Sequence, residues 1–189
     1  MTFKILENIP EDFLSEIKKS VLNCNLDDRE KYRYIVGDEY QDYIFPPKDH
    51  ELYDILGKYF KNDFRVVILK NNPNCGLGPV HTDGSRFGCI NFPIKVDLDN
   101  SSFFIEREGE TPTIRPPHPD EPINNNALRF LYEPEKYLYY NLRKAICIST
   151  KSAHGAFNYS NEERILLSVA FSGLESYEDI LDQVPKEWL

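Results

Sequence analysis

Hydrophobic positions in the first sixty residues recur with the period of an α-helix. From residue 11 to residue 22 the apolar side chains fall on one helical face, with charged side chains opposite. The same spacing returns at about residues 49–60, where the carboxylate of Asp49 is suited to cap the first turn. The pattern therefore predicts two amphipathic helices before the rest of the fold.

After Asn62 the chain changes to short runs of β-branched and aromatic residues. These runs predict six strands, at residues 64–69, 87–94, 102–105, 127–132, 145–149 and 165–171. No helical pattern separates them, so parallel strands joined by crossover helices are excluded. The expected sheet is mostly antiparallel, as in a sandwich, a jelly roll or a barrel. A short helix at residues 177–183 is expected near the end of the chain.

The length of 189 residues, 41% of them hydrophobic, favours one domain with one main core. Within it we expect a helical support at residues 1–62, a β core at residues 63–173 and a closing segment at residues 174–189. The formal net charge of -9 disfavours binding to duplex nucleic acid or to an anionic membrane surface.

The N-terminal residues and the cysteines indicate in which cellular compartment the protein is expected. The first residues show no apolar segment of the kind that a secretory signal needs, and the apolar runs fall far below the roughly 20 residues of a membrane helix. The four cysteines form no C-x-x-C pair and are expected to be reduced thiols. We therefore expect a soluble, cytoplasmic protein.

Two histidines and one carboxylate are candidates for a metal site. His81 and Asp83 lie two residues apart at the end of a predicted strand, so their side chains project to the same face. An H-x-D pair alone is a weak signal, but His154, just past the apolar run at residues 145–149, supplies a third ligand. Two histidines and one carboxylate can hold non-haem Fe(II) and leave positions open for a chelating co-substrate and O2.

Arg164 follows His154 by ten residues, after a polar turn and at the start of the last predicted strand. A hairpin would place it alongside the strand that carries His154.

The segments HTDGSRFGCINFPI and KSAHGAFNYSNEERILLSVAF resemble the 2-oxoglutarate- and Fe(II)-dependent oxygenase superfamily, and within it the small bacterial and phage members. The resemblance spans about residues 64–171. It implies a double-stranded β-helix, a cupin-like jelly roll, with Fe(II) bound at its mouth by His81, Asp83 and His154. It also implies that Arg164 binds 2-oxoglutarate, and that no side chain beyond the metal site is needed for catalysis.

Charge balance supports this assignment. Fe(II), Asp83, 2-oxoglutarate and Arg164 together sum to zero, so the closed site avoids burying a net charge. The planar guanidinium of Arg164 can bind the distal carboxylate through two parallel hydrogen bonds. Many members of the superfamily carry a serine two residues after this arginine, and Ser168 is its nearest counterpart, roughly 13 Å further along the strand.

Other residues near the motif are candidates for binding substrate or co-substrate. Arg86 and Asn91 follow the H-x-D pair and could face the site, and Asn72 is a guess for a further co-substrate contact. The proline-rich residues 111–122 are long for a structureless loop and are suited to cover a substrate.

The reaction that the resemblance implies is oxidation of a C–H bond, with hydroxylation as the default outcome. A peptide or protein side chain, prolyl or Asp/Asn, is the expected substrate, and a free amino acid or another small metabolite is the alternative. Two other classes remain open at this stage. A jelly-roll binding module would lack the metal site, and a zinc hydrolase would use the same three ligands but would not need Arg164.

Overall fold

The computed structural model describes residues 2–36, 40–84, 86–115 and 128–189. The helices are α1 (Glu11–Leu22), α2 (Glu51–Gly57) and α3 (Tyr177–Leu181), with short 3-10 turns at Pro134–Lys136 and Lys186–Trp188. The strands are β1 (Phe3–Ile5), β2 (Arg33–Val36), β3 (Gln41–Phe45), β4 (Phe64–Asn71), β5 (Gly76–Leu77), β6 (Val80–His81), β7 (Gly88–Lys95), β8 (Ser101–Glu106), β9 (Arg129–Phe130), β10 (Tyr137–Tyr140), β11 (Ile146–Ser149), β12 (His154–Asn158) and β13 (Arg164–Phe171).

These strands form two antiparallel sheets. The first has seven strands in the order β1-β11-β7-β13-β4-β3-β2. The second has six, in the order β10-β8-β12-β6-β9, with β5 also paired to β12. Along the chain, β11, β12 and β13 fall in the first, second and first sheet in turn, so the strands wind around a common interior. This is the predicted double-stranded β-helix, and the fold-class prediction is confirmed.

The two faces of the first sheet pack against different parts of the protein. In β13, Ile165, Leu167 and Val169 belong to a cluster that includes buried residues of α1 and α2. Leu166 and Ala170 instead pack with residues of the second sheet, among them Phe103. Because alternate residues of a strand share a face, Arg164 and Ser168 lie on the side that faces the interior between the sheets.

The second helix begins later than the sequence pattern predicts. The N-cap is His50 rather than Asp49, and the His50 ring accepts the Leu52 backbone N–H at 3.2 Å. The prediction for Asp49 was therefore wrong, because the imidazole of the next residue makes the capping bond. The helix then ends at Gly57, after which the N–H groups of Tyr59 and Phe60 both bond to the Leu56 carbonyl in a terminal turn.

All six predicted strands overlap observed ones, but in the run predicted at 127–132 the described residues, 128–132, contribute only the two residues of β9. The N-terminal region supplies more than helices, because β2 and β3 extend the first sheet next to β4. Within the part of the chain that the structure describes, no helix combines the length and the apolar composition needed to cross a bilayer.

Gly155 tests how tightly the second sheet packs beside the candidate metal ligands. A Cβ at this position would lie 2.5 Å from Cζ of Phe104, a fully buried ring on the neighbouring strand. We expect Gly155→Ala to lower the free energy of unfolding by about 1–3 kcal/mol, because the ring must move within a packed core. Gly57→Ala is the matched control, since a Cβ there meets nothing within 4 Å. Chemical denaturation measures both, and equal stabilities would contradict the packing described.

Candidate metal centre

The second sheet brings the two candidate histidines together. β6 pairs with β12 so that His81 lies directly opposite His154, and the centroids of their rings are 4.6 Å apart. Residues opposite each other on antiparallel strands project to the same face. A single strand pairing thus brings together side chains that are far apart in the sequence.

Asp83 completes a compact group of three ligands. One potential ligand atom from each of His81, Asp83 and His154 lies within 4.8 Å of the other two. The distance between His81 Nε2 and Asp83 Oδ1 is 3.6 Å. The residues that sequence spacing singled out therefore meet at one place and could hold a metal ion.

Backbone carbonyls orient both imidazoles. His81 Nδ1 donates to the carbonyl of Pro79 at 3.0 Å, and His154 Nδ1 donates to the carbonyl of Ser152 at 2.8 Å. With the proton held on Nδ1, each Nε2 keeps its lone pair for a metal ion. This second layer of bonds is typical of histidines that act as ligands, because it fixes both the tautomer and the ring direction.

The protonation states of the three groups also suit a divalent cation. Burial, together with the neighbouring His154, lowers the pKa of His81 to about 4, and burial lowers the pKa of His154 as well. Burial alone would raise the pKa of Asp83, but Arg86 and the two histidines hold it at about 2. At neutral pH the site therefore offers two neutral imidazoles and one carboxylate, which is the donor set that Fe(II) accepts.

The structure places Arg86, a sequence candidate for substrate contact, against Asp83. The Nε–H of Arg86 donates to Asp83 Oδ2, while Oδ1 of the same carboxylate faces His81. The two oxygens thus have separate partners, and Arg86 leaves only Oδ1 facing the histidines.

Arg164 approaches from the opposite sheet. The expected hairpin was wrong, because β12 pairs with β8, β6 and β5 whereas β13 pairs with β4 and β7. The jelly-roll crossing places Arg164 on the inward face of the first sheet, opposite the sheet of His81 and His154. The side chain therefore reaches the interior across the gap between sheets rather than along a shared one.

The buried guanidinium of Arg164 is incompletely bonded. Arg164 is 2% exposed, and Nη1 donates to Asn71 Oδ1 at 2.7 Å. Nε and Nη2 are buried and have no hydrogen-bond partner among the described residues. Burial lowers the pKa of Arg164. A buried cation with two free donors is costly unless an anion completes it, so the arrangement fits a carboxylate ligand.

Asn71 is a residue that sequence reasoning missed. It ends β4 directly opposite Arg164, and its Nδ2 donates to Gln41 Oε1 at 3.0 Å. The predicted strand stopped at residue 69, so the asparagine was not considered as part of the sheet. Extending the run of buried residues by two positions would have placed it beside the arginine.

The remaining sequence candidates are more dispersed. Ser168 is buried opposite Asn91 on β7, four residues along β13 from Arg164, and Asn91 Oδ1 accepts a bond from Cys89 Sγ at 3.5 Å. Both side chains face the interior, but neither is hydrogen-bonded to Arg164. The carbonyl of Asn72 accepts a bond from Asn158 Nδ2. Of the predicted covering loop at residues 111–122, positions 116–122 lie outside the described residues.

The lowered histidine pKa values predict a pH dependence of stability for the metal-free protein. Between pH 6.5 and about 4 the unfolded chain protonates at His81 while the folded chain does not, so stability falls as the pH falls. We expect a loss of about 3 kcal/mol across this window. The pKa of Asp83 lies below the window, and the carboxylate stays ionised within it.

Denaturant titrations between pH 7 and pH 4 measure this effect. The double variant His81→Gln, His154→Gln should show a flatter profile, with a residual slope from His50, whose pKa burial also lowers. An unchanged slope in the double variant would contradict the buried neutral state of the two imidazoles.

Comparison with known proteins finds similarity in structure but not in sequence. No protein-family model matches the chain, and no curated protein matches it by sequence. The non-haem α-ketoglutarate-dependent epimerase SnoN from nogalamycin biosynthesis is 12% identical, with a TM-score of 0.56 over 98% of this chain and 85% of SnoN. The carbocyclase SnoK, from the same biosynthesis and also α-ketoglutarate-dependent, is 11% identical, with a TM-score of 0.56 over 90% and 79%.

A prolyl-4-hydroxylase from Pseudomonas putida is 10% identical, with a TM-score of 0.54 over 90% of this chain and 91% of the hydroxylase. The chain also matches hazelnut vicilin at a TM-score of 0.45, where it spans 33% of the vicilin chain. At these identities the likeness concerns the fold. The chain thus shares the double-stranded β-helix fold of solved 2-oxoglutarate-dependent oxygenases.

Proposed function

We propose that the chain is a 2-oxoglutarate- and Fe(II)-dependent dioxygenase. The observation that carries the proposal is that two features, a candidate metal site and a buried arginine, face each other across the interior between the sheets. His81, Asp83 and His154 converge at the second sheet, and on the first sheet the buried Arg164 has two nitrogen donors, Nε and Nη2, with no partner in the described part of the chain. A metal site alone fits many reactions, whereas a metal site facing an anion site fits a co-substrate that chelates at one end and is charged at the other.

The residues fit both groups. Nε2 of each histidine and Oδ1 of Asp83 would hold Fe(II), since the remaining polar atoms of all three side chains are already bonded to Pro79, Ser152 and Arg86. When bound, Fe(II) and 2-oxoglutarate supply the activation of O2 for oxidation of a C–H bond, with release of succinate and CO2.

The contribution of the protein is binding and orientation. Arg164 would bind the distal carboxylate of 2-oxoglutarate through Nε and Nη2, while Asn71 fixes the guanidinium through Nη1. Apolar side chains between the sheets, including Phe103 and Leu166, keep water from this end of the interior. Ser168 and Asn91 face the same interior and are proposed as further polar contacts for the co-substrate or the substrate.

For the substrate we propose a peptide or protein side chain, prolyl or Asp/Asn, which would be hydroxylated in the cytoplasm. Two tyrosines that pack on Phe104 of the second sheet support a binding surface for it, since Tyr132 is exposed and its hydroxyl is bonded to that of Tyr139 at 2.7 Å. The same chemistry on a free amino acid or another small metabolite is the alternative. The formal charge of -9 makes duplex nucleic acid a poor candidate.

Calorimetric titration of 2-oxoglutarate into protein loaded with Mn(II) tests the proposal. Glutarate is the matched control ligand, because it has both carboxylates but lacks the 2-oxo group that chelates a metal. We expect 2-oxoglutarate to bind at least tenfold more tightly than glutarate, and only when Mn(II) is present. Equal affinities, or no binding, would contradict the proposal and favour a zinc hydrolase or a binding module.

A further inference from the structure

Arg129 lies at the metal centre without belonging to it. β9 pairs with β6 so that Arg129 is directly opposite His81, and cross-strand partners project to the same face. The described residues include no acidic partner for the Arg129 guanidinium. Arg129 therefore lies beside the candidate metal ligand His81 but is not bonded to it.

A cavity of about 280 Å³ adjoins this arginine. Arg115 and Arg129 line it together with Gly78, Pro79, Val80, Phe130 and Tyr132, and none of the three candidate metal ligands is part of the lining. Two of these side chains are cationic and two are aromatic, and no carboxylate from the described part of the chain lines the space. A cavity of this composition suits a ligand that carries an anionic group next to apolar or ring atoms.

The charges around the metal centre favour the binding of one more anion. Asp83 is opposed by Arg86, Arg129 and Arg164, and the divalent metal and the 2-oxoglutarate dianion cancel each other. Glu106, whose Oε2 accepts the N–H of Ala153 at 2.9 Å, offsets one of these charges, and Lys151, which donates to the Asp83 carbonyl, adds one. Among the described residues the surplus is therefore at least one positive charge, in a chain of formal charge -9. A substrate with a negative group would neutralise it as the site closes.

We propose that the substrate carries a carboxylate or phosphate group, which Arg129 binds next to the metal centre, from its position opposite His81 on β9. This inference rests on the proposed function and narrows it. Among peptide substrates it favours an acidic side chain over a prolyl ring, and among metabolites it favours organic acids or phosphate esters. Arg164 does not serve this purpose, because its free donors are assigned to the distal carboxylate of 2-oxoglutarate.

Methyl proton relaxation of small probes tests the proposal with Mn(II)-loaded protein saturated with 2-oxoglutarate. The probes are acetate, methylphosphonate and the neutral isostere acetamide, each with one methyl group. We expect Mn(II) to enhance relaxation of at least one anion at least fivefold over acetamide, and Arg129→Gln to abolish the difference. A stronger effect for acetate would indicate a carboxylate substrate, and a stronger effect for methylphosphonate a phosphate ester.

Arg143→Gln provides the matched control, because it makes the same substitution at an exposed arginine on a turn. It should retain the wild-type contrast between anions and acetamide. Titration of 2-oxoglutarate into separate Mn(II)-loaded samples without the co-substrate checks that Arg129→Gln is folded. Anion relaxation equal to that of acetamide, or unchanged in Arg129→Gln, would overturn the inference. Failure of the wild-type protein to bind 2-oxoglutarate would instead overturn the proposed function.

Discussion

Replacing Arg164 with alanine is expected to weaken binding of 2-oxoglutarate to the Mn(II)-loaded protein more than tenfold, which corresponds to more than 1.4 kcal/mol. Nε and Nη2 of this buried guanidinium, on the sheet opposite the metal ligands, have no hydrogen-bond partner among the residues that the structure describes. Without them the distal carboxylate would be buried with no countercharge. Calorimetric titration measures the affinity, and Arg164→Lys should recover only part of it, because an ammonium group cannot form two parallel bonds.

The same substitution should not destabilise the protein in the absence of ligand. Arg164 buries a charge for which the described residues supply one side-chain hydrogen bond, so its removal relieves a desolvation cost that this bond offsets only in part. We expect the melting temperature of Arg164→Ala to equal or exceed that of the wild type while 2-oxoglutarate binding is lost. A structural role would give the reverse.

Two control variants complete this test. Arg143→Ala removes an exposed arginine and should leave 2-oxoglutarate affinity unchanged. Asn71→Ala removes the acceptor that fixes Nη1 and should weaken binding by less than Arg164→Ala, because the two free donors remain. If Arg164→Ala binds 2-oxoglutarate as tightly as Arg143→Ala does, Arg164 has no part in co-substrate binding.

The metal ligands could be predicted from the sequence because their signal is local. His81 and Asp83 need only strand alternation to share a face, and His154 needs only a place beside the end of an apolar run. The structure joins the two histidines through one antiparallel pair between β6 and β12, and Asp83 follows two residues after the end of β6. Neither β6 nor β12 is among the six predicted strands; β6, with two residues, is too short to show a period.

The surroundings of Arg164 could not be predicted because they depend on topology. A polar turn between two strands favours a hairpin, but here the turn carries the chain from one sheet to the other. The role of Arg86 was open for a related reason. The direction of a loop side chain depends on tertiary contacts, and the contact with Asp83 becomes visible only in the structure.

The second large effect is expected at Asp83. Its two oxygens have different tasks, since Oδ2 accepts a bond from Arg86 while Oδ1 faces His81. An asparagine has one carbonyl oxygen and one NH2 group, so it can satisfy only one of these positions. We expect Asp83→Asn to weaken Mn(II) binding by about a hundredfold or more. Loss of a residue that only hydrogen-bonds to a metal ligand typically costs about tenfold to a hundredfold, and Asp83 is a ligand itself.

Titration of Mn(II) followed by electron paramagnetic resonance measures this loss, since free and bound Mn(II) give distinct signals. Asp99→Asn makes the same chemical change at an exposed carboxylate and should bind Mn(II) as the wild type does. Arg86→Gln should lie between them, because Asp83 keeps its charge but loses the bond that directs Oδ1 toward the histidines. If Asp83→Asn binds Mn(II) within threefold of Asp99→Asn, the three converging side chains do not form a metal centre. The role proposed for Arg164 would then have to be explained without one.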